Sequence, residues 1–286
     1  MKTAWQLFWL TGMSISLHAA STINAVNRYA YGANLGWLDC GVSTNNGAVI
    51  GEYVCSGYLY SANTGWISLG NGSPTNGIHY LNLSASDYGV NLDAFGNLYG
   101  FAYGANIGWI NFEGNGSPKV DLLTGKMSGY AYSANCGWIS LSNAVAFVQT
   151  DSIQKGVDSN HDGIADAWEL QYFGTVSIDV NADPDGDGIS NLNEYLAGTD
   201  PTTPRSNFKI TGYTFAPGGT NAALTWTSQS TRYYYLQSVL NLDSGLWTDS
   251  GLGLIPADGS TTSRSYNATN ADQRFYRVQA VRPLIP

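Results

Sequence analysis

One ten-residue pattern occurs four times in the first half of this 286-residue chain. Tyr29 to Leu38 reads YAYGANLGWL, Tyr58 to Ile67 YLYSANTGWI, Phe101 to Ile110 FAYGANIGWI and Tyr130 to Ile139 YAYSANCGWI. The shared Ala-Asn-x-Gly-Trp places Trp37, Trp66, Trp109 and Trp138 at intervals of 29, 43 and 29 residues, so the units form two pairs with a middle gap longer by 14. Repetition on this scale means one supersecondary unit copied and stacked, because no single copy can bury its own apolar face. The unit is legible. In Tyr-Ala-Tyr the aromatics lie two apart and share one face of a strand. Gly/Ser-Ala-Asn-x-Gly is turn chemistry, with Asn and Gly able to take left-handed backbone angles. Trp-Ile then starts a return strand, so each unit is expected to be a β-hairpin with aromatics paired across it.

Two roles compete for these rings. One is the core that holds stacked hairpins together; the other is an exposed platform on which sugar rings stack. A repeat needs its consensus residues first for its own fold, which favours core. Turn geometry is likewise the expected role of Asn34, Asn63, Asn106 and Asn135. Charged residues make up 12% of the chain, aromatics 13%, and Gly contributes 34 residues. That mix argues against a helical bundle and against disorder. The net charge is −9 and no run of Lys or Arg occurs, which excludes an ordinary nucleic-acid binder.

Lys2, the mostly apolar run from Ala4 to Leu17 and the small pair Ala19-Ala20 read as a signal peptide over residues 1–20. The run is too short and interrupted to span a bilayer, and no later stretch is long enough either. The mature chain is therefore expected outside the cell or at its surface, with no membrane span. Export makes a Cys40–Cys55 bridge reasonable. The repeat supports it: both cysteines occupy slots that are apolar in the other copies. Three residues before the first aromatic stand Val26, Cys55, Leu98 and Met127; three after each Trp stand Cys40, Leu69, Phe112 and Leu141. Cys136 is then either a free buried thiol or an intermolecular link, the first being favoured.

Charge is concentrated in one segment. Residues 151–204 hold eleven acids against one base, a net of −10 where the entire chain carries −9. Asp158-x-Asn160-x-Asp162-Gly163-Ile164-x-Asp166-x-x-Glu169 has every liganding position of an EF-hand loop. Asp183-x-Asp185-x-Asp187-Gly188-Ile189-x-Asn191-x-x-Glu194 repeats it 25 residues later. Calcium takes six to eight hard oxygen donors, and alternate side chains along such a loop can surround it. Asp158, Asn160 and Asp162 are expected to give side-chain oxygens, Ile164 its carbonyl, Asp166 a water-mediated contact and Glu169 both carboxylate oxygens. Asp183, Asp185, Asp187, Ile189, Asn191 and Glu194 take the same roles, giving two calcium sites. Each loop is expected to lead into a short helix, Asp166 to Phe173 and Asn191 to Ala197, closed by Gly174 and Gly198. Through Asp-Pro-Asp-Gly-Asp-Gly-Ile and Tyr-Leu-Ala-Gly-Thr-Asp-Pro, residues 157–204 resemble the calcium-binding, thrombospondin type 3-like repeats of bacterial secreted proteins. They resemble dockerins less, since Ala165 and Ser190 stand at loop position 8 and Glu at position 12.

Asp200 to Pro204 reads as a stiff, extended connector. Beyond it, six or seven short alternating runs predict a β-sandwich over residues 205–286. Leu224-x-Trp226, Tyr234-x-Leu236-Gln237 and Phe275-Tyr-Arg-Val278 are similar to fibronectin type III-like modules, and the Gly-Trp-Ile hairpins to repeats of bacterial cell-surface proteins. The expected fold is mainly β: a hairpin-repeat domain over 21–150, a loop–helix calcium segment over 151–204 and the sandwich. No Gly-x-Ser-x-Gly, His-Glu-x-x-His or phosphate loop is present, and an enzyme is not expected. The resemblances imply a secreted, calcium-stabilised structural or adhesive surface protein, with self-assembly through hairpin edges as one option. Its partners would be other surface proteins, itself or glycans; a carbohydrate-binding protein using the repeat aromatics is the alternative.

Overall fold

The computed structural model describes residues 20–215, 221–267 and 274–285. The signal peptide read over residues 1–20 therefore lies, up to residue 19, outside them. Each repeat forms a hairpin: β1 (Ile23–Gly32) with β2 (Gly36–Asp39), β3 (Cys55–Ser61) with β4 (Gly65–Asn71), β5 (Leu98–Gly104) with β6 (Gly108–Asn111), and β7 (Tyr130–Ser133) with β8 (Gly137–Ser140). Neighbouring hairpins pair antiparallel, and β8 pairs back onto β1, closing an eight-stranded barrel. The short strands Val49–Ile50, Val90–Leu92 and Val148–Thr150 extend this sheet. Closure leaves the eight strands no free edge, so the hairpin edges expected to pair between chains are already used.

Inside the barrel, Ala30 faces Leu38, Leu59 faces Ile67, Ala102 faces Ile110 and Ala131 faces Ile139, all buried. The residue between Asn and Gly in each turn plugs the mouth: Leu35, Ile107 and Cys136 are buried and Thr64 half-buried. Outside, Tyr31 opposes Trp37, Tyr60 opposes Trp66, Tyr103 opposes Trp109 and Tyr132 opposes Trp138. The four indoles are 45%, 48%, 45% and 50% exposed, which reverses the expectation that they form the core. The cause is space. Eight strands enclose a volume that side chains just fill. Ala, Leu and Ile take it, and the larger rings go to the opposite face of each strand.

The repeat's Asn and Gly are explained by contacts between turns. Asn34 donates its amide to the Cys136 carbonyl (3.2 Å), Asn135 to Ile107 (3.0 Å), Asn106 to Thr64 (3.0 Å) and Asn63 to Leu35 (3.1 Å). These four bonds run once round the barrel and return to the start. Gly36, Gly65, Gly108 and Gly137 hold φ of 76°, 80°, 70° and 77°, where a Cβ is strained. A Cβ on Gly36 would also lie 2.8 Å from the Asn63 amide nitrogen.

Cys40, Cys55 and Cys136 are free and buried, so the expected Cys40–Cys55 bridge is not formed. Each sits in the barrel core as a small apolar residue. Burial pushes the Cys40 and Cys55 thiols up to about 12. The slot comparison holds for every position except Val26, which is 79% exposed where β1 shifts register against Val148–Thr150.

The C-terminal region has two antiparallel sheets. One contains β9 (Ile210–Phe215), β10 (Asn221–Thr227) and β14 (Thr261–Asn267), in the order β9-β10-β14. In the other, β11 (Tyr233–Val239) is flanked by β15 (Phe275–Val281) on one side and by the short β12 (Thr248–Asp249) and β13 (Ile255–Pro256) on the other. Trp226, Leu224, Tyr234 and Leu236 from both sheets share one core. The connector is not extended. Asp200 accepts from the amide and hydroxyl of Thr202, and its own amide donates to the Ser206 hydroxyl, so residues 200–206 fold into a turn.

If the turn ring holds the barrel together, Gly36→Ala should be costlier than Gly114→Ala. Both glycines have positive φ, but nothing lies within 4 Å of a Cβ at Gly114. Each change carries about 1–2 kcal/mol of backbone strain, and the first adds the loss of an inter-turn hydrogen bond, about 1 kcal/mol. Urea unfolding of the two variants measures the gap; equal midpoints would remove the ring from the account of stability.

Candidate metal centre

The acidic segment folds as two loops, each leading into a short helix. α1 (Asp166–Phe173) and α2 (Asn191–Ala197) have the bounds read from the sequence, and Gly174 and Gly198 close them at φ 69° and 75°. Eight and seven residues are too few for helices that persist alone. They persist here by packing: Ile164, Ala165, Trp168 and Tyr195 form a buried cluster, covered by Tyr172, Phe173, Ile178, Val180 and Leu192. The seventh-position Ile164, expected to offer its carbonyl to a metal, is thus also a core anchor.

Glycine at the sixth position of each loop makes the sharp turn. Gly163 and Gly188 have φ of 96° and 93°. The leading aspartates tie the loops: Asp158 accepts from the amides of Asp162 and Gly163, and Asp183 from those of Gly186, Asp187 and Gly188. Those amides, Gly188 foremost, lower the Asp183 carboxyl. In the second loop Asp183, Asp185 and Asp187 bring ligand oxygens within 4.8 Å of one another. No other acidic trio is so gathered among the described residues.

Five of the twelve expected ligand residues hold a buried side-chain oxygen that no group of the protein satisfies: Glu169 Oε2, Asp185 Oδ2, Asp187 Oδ2, Asn191 Oδ1 and Glu194 Oε2. Glu169 and Glu194 have no exposed surface at all. Burial, followed by Asp185, Asp187 and Asp183, raises the Glu194 carboxyl to about 7, and burial raises Glu169. Buried carboxylates without counter-charge or hydrogen bonds are among the most costly arrangements in a protein. A hard divalent cation in the second loop would satisfy the four oxygens of Asp185, Asp187, Asn191 and Glu194 together, so the residues of that loop fit calcium well.

The first loop fits less completely. Asp166 turns its carboxylate to the amide and hydroxyl of Ser159 (2.8 and 3.2 Å), closing the loop on itself. The Asn160 amide donates to Asp162 (2.8 Å). Two supporting groups escaped the sequence reading. Thr199, itself buried, donates to Glu194 Oε1, and the Ile178 amide donates to Glu169 Oε1, so each glutamate is held by one oxygen while the other is left for a ligand. Thr199 stands in Gly-Thr-Asp-Pro, after the helix, where an EF-hand template assigns no role.

Residues 183–204 match the bacterial TSP3 repeat, a calcium-binding type, over the second loop, α2 and the turn after it. No curated protein and no solved structure matches the chain.

Glu194→Gln keeps the shape of the side chain and removes its charge. Without calcium it should stabilise the protein at pH 8, by roughly 1–3 kcal/mol, since it relieves a buried carboxylate that burial and three aspartates disfavour. With calcium it should destabilise, because a ligand oxygen is lost. Thermal melts with and without chelator should therefore cross; a variant less stable in both conditions would mean that Glu194 is not an unmet ligand.

Proposed function

We propose that this chain is a calcium-stabilised structural and adhesive protein of a bacterial surface, exported by residues 1–20 and without catalytic activity. It binds two calcium ions, through Asp158, Asn160, Asp162, Ile164, Asp166 and Glu169 in one loop and Asp183, Asp185, Asp187, Ile189, Asn191 and Glu194 in the other. The C-terminal sandwich acts as a fibronectin type III-like spacer, and the barrel presents the binding face. The observation that carries this reading is the group of unsatisfied, buried oxygens around the second loop, in a segment similar to a calcium-binding repeat. Among the described residues no helix is long and apolar enough to cross a membrane.

What calcium does follows from what α2 touches. Tyr195, next to Glu194, stacks its ring under the Arg282 guanidinium (4.5 Å), and its hydroxyl accepts from Arg282. Arg282 also pairs with Glu52 at 2.9 Å, with both side chains largely buried, and Glu52 accepts from the Gly156 amide. Arg232 donates to the carbonyls of Tyr195 and Leu196 (both 2.8 Å), putting a cation at the C-terminal end of α2. The barrel side, the calcium segment and the sandwich thus meet on one helix turn, and ordering its loop with metal fixes all three. Calcium outside cells is steady, so the role is structural and needs an affinity of only about 0.1–1 mM.

Limited proteolysis provides the test. With calcium the chain should resist; with chelator, cuts should fall within residues 151–204 and release two stable β fragments. Equal resistance in both conditions, or cutting throughout the barrel, would refute calcium as the joint. Calorimetry should find two sites, with Glu169→Gln and Glu194→Gln each weakening one.

A further inference from the structure

The four aromatic platforms carry the same rings and differ in what stands around them. Tyr31–Trp37, Tyr60–Trp66, Tyr103–Trp109 and Tyr132–Trp138 pack with centroids 4.9, 5.0, 4.8 and 5.0 Å apart. Among the described residues only the third receives a further aromatic ring. The segment between the second and third hairpins, longer by 14 residues than its counterparts, returns over the barrel and sets Tyr88 5.1 Å from Trp109 at 83°. Phe101 meets the indole edge-on at 6.2 Å, as Tyr29, Tyr58 and Tyr130 do in the other copies, so Tyr88 is the added ring. Between these rings and residues 82–85 lies a recess of about 380 Å³, within the ~300–1,000 Å³ typical of small-molecule sites.

The recess is built rather than incidental. Asp87, 5% exposed, accepts from the amides of Thr75 and Leu81. The Asn82 side chain donates to the Tyr80 carbonyl and accepts from the Gly89 amide. Tyr80 is buried against Gly70 and Gly89, where any Cβ would fall within 3 Å of its ring. All of this fixes a loop that leaves Leu83 85% exposed and Tyr88 beside Trp109. A rigid recess lowers the ordering cost of binding.

The lining selects the ligand. It contains no Asp, Glu, Lys, Arg or His, so an ion would lose its hydration there without a counter-charge. It is not wholly apolar either: Asn82, Ser84 and Tyr88 are among the residues that line it, and a hydrocarbon chain would leave such polar groups unmatched. A pyranose ring answers both requirements, with a C–H face for the indole and hydroxyls around its edge. We propose that the recess at Trp109 binds a neutral pyranose unit of a surface glycan, and that the three open platforms repeat the contact more weakly. This inference rests on the adhesive reading of the barrel, and four copies of one platform suit a polymer of repeating sugars, where linked weak contacts multiply.

The test uses the calcium-loaded mature chain and a panel of neutral hexasaccharides: malto-, cello-, xylo-, manno- and chitohexaose. Titration followed by tryptophan fluorescence should saturate for at least one of them. Trp109→Ala and Tyr88→Ala should each weaken it about tenfold or more, while Trp37→Ala changes it less than about threefold. Tyr88 lies outside the barrel strands, so its variant remains informative if Trp109→Ala fails to fold. The proposal fails if no panel member binds, or if the Trp109 and Tyr88 variants bind like the parent. It also fails if sedimentation shows that Trp109 instead mediates self-association, or if a proline-rich peptide binds at Trp109 and no sugar does. Calcium calorimetry on the same proteins separates the outcomes: intact metal binding without sugar binding removes this inference and leaves the calcium-stabilised reading standing.

Discussion

Four asparagine amides, each given to the backbone carbonyl of the next turn, decide the form of the N-terminal half. A lone two-stranded hairpin has little stability of its own, and the inter-hairpin ladders comprise only one or two residue pairs each. The Asn34, Asn63, Asn106 and Asn135 bonds join the turns where those ladders are sparse, and because they run in a circle each hairpin is both donor and acceptor. Much else follows from closure. The aliphatic side chains gain a common interior, the strand edges are consumed, and the tyrosines and tryptophans are left on the outside as four copies of one surface.

The sequence was most readable where structure is local. Loop positions, both helix bounds and the closing Gly174 and Gly198 could be placed because ligand spacing and left-handed caps are encoded within a dozen residues. The hairpins were readable for the same reason. Which face of each hairpin turned inward was not, since a period of two says that Tyr29 and Tyr31 share a side without saying which side meets the core. That choice depends on the volume enclosed by eight strands, a property of the closed ring and of no single repeat. The cysteine reading shows the same limit: the slots were correctly inferred to be buried, but sharing a core does not bring two sulfurs into bonding position.

Least readable was the junction. Glu52, Tyr195, Arg232 and Arg282 come from three regions of the chain, and alone each looks like an ordinary surface residue. Residues 205–286 hold seven basic and four acidic residues, and two of the arginines reach out of the sandwich. Arg282 is drawn to Glu52 and Arg232 to the exposed carbonyls at the end of α2. The excess of acid in the centre and of base in the C-terminal part is thus partly spent on holding the regions together. The orphaned oxygens of Asn191 and Glu194 lie toward the other end of the same helix, so a metal bound there and the interdomain packing would act on one short element.

Arg232 has a mechanical consequence. It holds the last carbonyls of α2, while Asn191 and Glu194 at the start of that helix belong to the loop. Tension applied to the sandwich would therefore not fall first on the turn at residues 200–206. It would be shared with the helix axis and delivered to the loop as a pull on its carboxylates. A loop clamped on a divalent ion resists such a pull far better than a hinge of threonines and prolines. Under the proposed calcium-bound reading, a pull on the sandwich would thus be borne at the metal loop before the turn gives way.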